Sequence, residues 1–421
     1  MRNFATFLVL LMAVFTGTML AQQDPVSADE KIDNLKGQVD GIDETVKTLE
    51  SDVAGLKKIK VSGYIQVNWE KSEKEKGLAA DPYDSKDFVK SQFRLRRGRL
   101  KVTYDAGSSQ YVLQGDFTNK GFELKDAYLE FQEPWLKLFS FRAGQFNRPN
   151  YEVEYSSSQR ESPERSAVVK ALYPGERDLG AMLTFSDEDI CTVQLAAFNS
   201  TYKGTISQNS PNFGDETYYY MARITKSFTL GDLGLDVGVH GRFGNTRANS
   251  VYVRNSDEPA KMAAAADSAA AKTLAVGDPV GRNWFGVEAQ LYWDLLGGVK
   301  IMGEYIMGND VSELSTSQPY AAVRKREFNG YYVYLVKNLG TEFQAAVKYD
   351  SYNPNTKIGG DVVDNTSELI TSTLGFGIHN YTFPNVRITL WYDVTSTKTN
   401  DRILKNDPKD NLLTARFQYK F

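Results

Sequence analysis

Cysteine is almost absent from this chain: Cys191 is the only one in 421 residues, which excludes a disulfide framework. It sits on a strand-like run with Val193 and Leu195 on its own face, as a lipid-facing or packed thiol would. Histidine is scarce too, at two residues, His240 and His379, so any acid–base or nucleophilic chemistry that needs an imidazole rests on those alone. No Walker loop, dinucleotide fingerprint, paired-cysteine site or histidine metal cluster is found. No catalytic residue, cofactor, metal or nucleic-acid partner is therefore assigned. The acidic turn Asp187–Asp189 could bind calcium, but a solvated charge cluster explains it as well. Beyond residue 20 no apolar run is long enough to cross a membrane as a helix.

What is present starts at the carboxyl end. From Asn411 to Phe421, Leu413, Ala415, Phe417, Tyr419 and Phe421 alternate with Thr414, Arg416, Gln418 and Lys420. A strand apolar on one face and charged on the other suits a wall between lipid and a wet lumen. It reads as the closing strand of an outer-membrane barrel, with Phe417, Tyr419 and Phe421 as the signal handled by the barrel assembly machinery. At the other end, Arg2 precedes an apolar run from Phe4 to Leu20, and Ala21 is followed by polar residues. This predicts a cleaved secretory signal over 1–21; the competing reading, a membrane anchor, requires a longer run. A mean hydropathy of -0.42 and a net charge of -4 resemble a soluble protein because barrel strands give only half their residues to lipid.

Residues 22–59 form a separate segment. Ile32, Leu35, Val39, Ile42, Val46, Leu49, Val53 and Leu56 recur at spacings of three and four, a coiled-coil seam flanked by Lys36, Asp43, Glu50 and Lys57. β-Branched residues at a with mostly leucine at d favour two strands, and Ile42 at d weakens that preference. The alternative is one amphipathic helix packed on its own barrel.

From Lys60 onward the chain reads as an all-β barrel of about sixteen antiparallel strands. Tight links at 105–109, 186–189, 231–234, 296–298, 338–340 and 383–385 alternate with long ones near 71–90, 147–178, 203–216, 245–281, 309–324, 353–365 and 397–410. Short periplasmic turns and long external loops put the coiled coil in the periplasm of a Gram-negative cell. The link 119–121 is short where the scheme expects an external loop, and the alanine-rich stretch 260–275 reads as a surface helix or a disordered loop.

Two strands lose phase at charged residues. Phe93 and Leu95 place Arg94 and Arg96 on the polar face, whereas Leu100, Val102 and Tyr104 place Arg99 and Lys101 there. One residue near Arg97 and Gly98 is therefore extra, and a bulge would aim several guanidinium groups into one zone. The second slip falls around Lys125 and Asp126 in FELKDAYLEF. Misjudged alternation within a polar wall is the alternative for both.

The stretches FRLRRGRLKVTYDAG (93–107), KDAYLEF (125–131), AGQFNRPNYEVEYSSS (143–158) and PERSAVVKALYPGERDLG (163–180) resemble the phosphate-selective porin O and P family. Glu164, Arg165, Ser166, Pro174, Gly175, Arg177, Asp178 and Gly180 match its motif elements, with Glu176 intervening between Gly175 and Arg177. The resemblance spans roughly residues 60–421 and is most specific in the first third. It implies a homotrimer of sixteen-stranded channels, the third external loop folded into each lumen, and basic side chains around the constriction. On that basis Arg94, Arg96, Arg97 and Arg99 form the basic cluster of the pore. Arg160, Glu164, Arg165, Lys170, Arg177 and Asp178 belong to the constriction loop, with Lys125, Asp126, Arg142 and Arg223 as further lumen residues. The chain departs from the family in lacking an extended arginine ladder: the comparable strand TYYYMARITKSF offers only Arg223 inward.

The expected function is an outer-membrane porin, a trimeric passive channel for small hydrophilic solutes with weak to moderate anion preference, phosphate being one possible solute. Opposed charges in a mixed lumen interact at only about 1 kcal/mol per close pair in water, which argues against steep selection. Two other readings are a structural protein tethering the envelope through its coiled coil and a barrel hydrolase using His240 or His379. The first would show no conductance; the second would need a carboxylate or serine beside an imidazole.

Overall fold

A computed structural model describes residues 28–73, 78–79, 88–119, 121–199, 218–247, 252–254, 279–294, 297–313, 322–357, 368–399 and 404–421. The expected signal at 1–21, the alanine-rich stretch 260–275 and the connection 203–216 lie outside these residues. The chain divides into two compact units, residues 1–58 and 59–421.

The first unit contains helix α1 (Ala28–Lys57). Val39, Ile42, Val46, Leu49, Val53 and Leu56 follow its heptad stripe and are all exposed, by 43 to 67%. Asp43 and Lys47 pair across one turn at 2.6 Å on the surface, a contact worth about 0.3–0.5 kcal/mol. That pair cannot offset six large apolar side chains left in water.

The second unit is a closed antiparallel barrel of sixteen strands. They are β1 (Ile59–Ser72), β2 (Ser91–Asp105), β3 (Ser109–Thr118), β4 (Gly121–Gln132), β5 (Phe139–Asn147), β6 (Arg177–Asp187), β7 (Cys191–Asn199) and β8 (Tyr218–Leu230). The chain continues through β9 (Leu233–Arg247), β10 (Asn283–Trp293), β11 (Val299–Glu313), β12 (Ala322–Leu339), β13 (Phe343–Asn353), β14 (Thr371–Asn380), β15 (Val386–Thr397) and β16 (Leu412–Lys420). Each strand pairs with its sequence neighbours, and β16 closes the cylinder on β1, from Ser72 opposite Leu412 to Tyr64 opposite Lys420. Phe421 completes the seam: it exchanges two backbone hydrogen bonds with Gly63, each 3.0 Å. Its ring lies over Gly63, where an added Cβ would come within 2.7 Å of it. Closure satisfies the edge groups that lipid could not.

The pleat sorts the side chains. In β10, residues alternate exposed and buried from Asn283 to Gln290, with Phe285 and Val287 outside and Trp284, Glu288 and Gln290 inside. Phe417, Tyr419 and Phe421 are on the outer face, each about half exposed. The connections at one barrel end are short throughout. Those at the other are long, except the link between β3 and β4 at residues 119–120. The link is as short as the sequence reads, against the scheme of long loops at that end, and the strand number is unaffected.

Both phase slips are bulges. Gln66 pairs with Arg97 and Val67 with Leu95, so Arg96 is the extra residue. Gln114 pairs with Asp126 and Gly115 with Leu124, so Lys125 is extra. An unpaired residue lets two consecutive side chains point the same way: Lys125 and Asp126 are both buried, and Arg96 and Arg97 both reach interior carboxylates.

Candidate functional site

The connection from Arg148 to Glu176 folds into the barrel and carries two short helices, α2 (Tyr151–Glu154) and α3 (Ala167–Leu172). Asn150 caps α2, its side-chain oxygen accepting from the Val153 amide at 3.1 Å. Glu152 ties the helices together by accepting from the Ser166 amide and, at 2.6 Å, its hydroxyl. Val168, Val169 and Leu172 are fully buried, each contributing about 1.5–3 kcal/mol. They pack in a cluster with inward apolar residues of the wall, among them Trp284, Ile306, Phe328, Tyr332 and Trp391. Gly330 makes room for α3, since a Cβ there would lie 2.7 Å from that of Val168. On the far side, Ser157 meets Tyr64 and Gln66 of β1, while Ser158 and Pro163 offer carbonyls to Gln418 and Arg416 of β16. The loop thus spans the interior.

Two cavities remain beside it along the β1–β5 wall. One, of about 510 Å³, touches Ser62, Lys101 and Lys420 near the short-turn end and Arg99, Asp126, Arg142, Arg165, Glu176 and Arg177 deeper in. The other, of about 450 Å³, touches Phe93, Arg94, Arg96, Arg97, Asp116, Asn119, Lys125 and Glu176 towards the long-loop end. Glu176 borders both.

Around that point nearly every predicted basic residue meets a carboxylate. Arg94 pairs with Glu70 at 2.7 Å and Arg96 with Glu164 at 2.7 Å; Arg97 and Arg99 share Asp116 at 3.0 Å each. Arg177 holds Asp126 at 2.7 Å and Glu176 at 2.8 Å, and Arg165 also grips Glu176. Lys125 pairs with Glu123 at 2.5 Å and Arg142 with Glu130 at 2.9 Å. Arg223 bridges Glu154 and Glu288 at 2.6 Å each. Burial opposes charge on Glu176, yet Arg165, Arg177 and Arg97 outweigh it and hold the carboxyl well below the usual range. Glu164 is also held low: burial works against it, and Arg96 and Arg416 overcome that cost. Breaking a buried pair of this kind costs about 3–5 kcal/mol, because one charge is left uncompensated.

Three predicted loop residues stand apart. Lys170 is exposed on α3. Asp178 is 1% exposed and accepts from the Tyr219 hydroxyl at 2.8 Å, inside the apolar cluster and away from both cavities. Arg160 is buried with no ion pair among the described residues, and its Nε has no partner. Arg387 and Arg416 share that condition: both are buried and, among the described residues, bonded only to neutral oxygens, each with one unpartnered donor.

Sequence reasoning noticed Glu176 only as an intruder between Gly175 and Arg177. Its φ of 68° follows 73° at Gly175, so two successive left-handed residues turn its side chain back among the guanidinium groups. A non-glycine residue in that conformation is uncommon. The docking cluster was missed as well. Its signal is strands apolar on both faces, as in IMGEYIMG (301–308), where Met302 and Ile306 point inward.

Known proteins share this architecture. An anion-selective porin from Comamonas acidovorans superposes with a TM-score of 0.56 at 9% identity, covering 86% of this chain and 99% of that one. OprB of Pseudomonas putida gives 0.61 at 10%, covering 88% and 96%. OmpT of Vibrio cholerae, an outer membrane protein in its trimer form, gives 0.51 at 11%, covering 86% and 99%. No curated protein matches the chain by sequence. The sequence model of the phosphate-selective porin O and P family matches residues 78–421. Fold and family point to a passive channel of the outer membrane rather than an enzyme. With most of its length inside that match, the chain belongs to the phosphate-selective porin O and P family.

Proposed function

We propose that this porin works as a homotrimer admitting small hydrophilic solutes, with a modest preference for anions. The observation that carries the preference is the set Arg148, Arg160, Arg242, Arg387 and Arg416, five buried guanidinium groups with no carboxylate within salt-bridge distance among the described residues. The ion pairs along the β1–β5 wall cancel locally. These five add positive potential to the interior against the excess of carboxylate around His240, and low-dielectric surroundings extend their reach. The pairing also limits the preference, because Arg94, Arg96, Arg97 and Arg99 are each already engaged. Ions pass the two cavities at Glu176, which belongs with the four arginines, Lys125, Arg142, Arg165 and Arg177 in the constriction. Weak, repeated contacts suit transport, since an ion held tightly would not leave.

Reversal potentials across a planar bilayer in a salt gradient, repeated with added phosphate, test this reading. A preference for chloride over potassium is expected, reduced in Arg387→Gln with Arg416→Gln. Cation preference in the unaltered protein would refute it. For α1, the exposed stripe fits a periplasmic coiled coil between copies of the chain. Native mass spectrometry of the full chain should then find three copies, and a monomer would sink the assignment.

A further inference from the structure

His240, Glu288 and Glu304 project from the consecutive strands β9, β10 and β11 onto one point of the interior wall, and their donor atoms all lie within 4.8 Å of one another. Each is buried, with 2 to 4% exposure. His240 Nε2 is 2.5 Å from Glu304 Oε1, while the other Glu304 oxygen is buried with no hydrogen-bond partner. Among the described residues, the one guanidinium in salt-bridge contact is that of Arg223, already divided between Glu288 and Glu154. Three carboxylates against one guanidinium leave two negative charges in excess, and a protonated His240 would offset only one. Buried charge without compensation is costly.

The wall is also shaped around these donors. Gly286 stands opposite His240 and Gly238 opposite Glu288 in the strand register. A Cβ at Gly286 would collide with the imidazole, and one at Gly238 would come within 2.8 Å of the Glu288 carboxylate. Outer groups orient the set. Asn150 donates to Glu304 at 2.5 Å, Arg223 holds Glu288, and the Tyr173 hydroxyl lies 3.5 Å from His240 Nδ1. Metal ligands are commonly fixed by such neighbours.

We propose that His240, Glu288 and Glu304 form a divalent-cation site best suited to zinc. One imidazole nitrogen and two carboxylate oxygens are a normal zinc set, with a fourth position open to water. Zinc bonds of about 2.0–2.2 Å place tetrahedral donors roughly 3.3 Å apart. Rotation of the two glutamate side chains bridges the difference from the present spacing. A bound cation cancels the excess charge, and through Asn150 it fastens the start of the interior loop to the wall.

Chelator-stripped full-length protein in detergent, titrated with Co²⁺ as a spectroscopic substitute, should bind one ion per chain with visible d–d bands and release it to Zn²⁺. His240→Gln and Glu304→Gln should each weaken binding by at least about tenfold, and Gly286→Ala, which crowds the imidazole without removing a donor, should weaken it too. His379→Gln, altering the other histidine, should leave it unchanged. Heat-modifiable gel mobility identifies the folded variants. Absence of stoichiometric binding in the unaltered protein overturns the proposal, as does binding that survives in folded His240→Gln and Glu304→Gln.

Discussion

Replacing Glu176 by glutamine should make the channel more selective for anions. The carboxylate sits between Arg165, Arg177 and, at 3.8 Å, Arg97, and it borders both cavities. The change removes one negative charge while leaving shape almost unaltered. The three arginines stay anchored: Arg177 keeps Asp126, Arg97 keeps Asp116, and Arg165 keeps the carbonyls of Glu152 and Val153. An ion passing at about 6 Å in water-like dielectric feels a change of ~0.7 kcal/mol. Screening over about 8 Å at physiological salt roughly halves that. Anions gain what cations lose, so the permeability ratio should rise between about threefold and tenfold. Reversal potentials in a potassium chloride gradient measure this, with trimer melting as the check on folding. An unchanged ratio, or a shift towards cations, would show that ions do not pass Glu176.

Arg94→Ala with Arg96→Ala should shift the reversal potential towards cations by removing the partners of Glu70 and Glu164, whereas neutralising Lys71, Lys74 and Lys76, on the connection that the sequence leads one to expect outside, should shift it little, since charge in open solvent is screened over about 8 Å; equal shifts would remove the RLRR segment from the constriction. Deleting Ser27 to Lys58 should keep a folded barrel but lower the temperature at which trimers dissociate in detergent, because the six exposed stripe residues lose their partner face. An unaltered dissociation temperature would make the helix incidental. Deleting Phe421 removes both hydrogen bonds to Gly63 and the ring covering it, so the heat-modifiable species in outer membranes should fall; normal yield and mobility would contradict that role.

The sequence by itself determined the barrel, because alternation with period two is local: each strand states which residues face lipid and which face inward. It also located both bulges, since an extra residue must break phase where it is inserted, at Arg96 and at Lys125. Inward orientation of the arginines followed from the same rule. Tertiary structure decided which of them meet a carboxylate. Asp116 serves Arg97 and Arg99 across a strand pair, Glu164 reaches Arg96 from the interior loop, and Arg387 and Arg416 have no carboxylate within salt-bridge distance among the described residues. Such pairings join residues far apart in the chain, and no periodicity records them. The docking of α3 was equally hidden: Val168 meets Gly330, 162 positions later, because a loop and a distant strand close on one apolar cluster. Local pattern carries the direction in which a side chain points, whereas its partner depends on where closure of the barrel brings the rest of the chain.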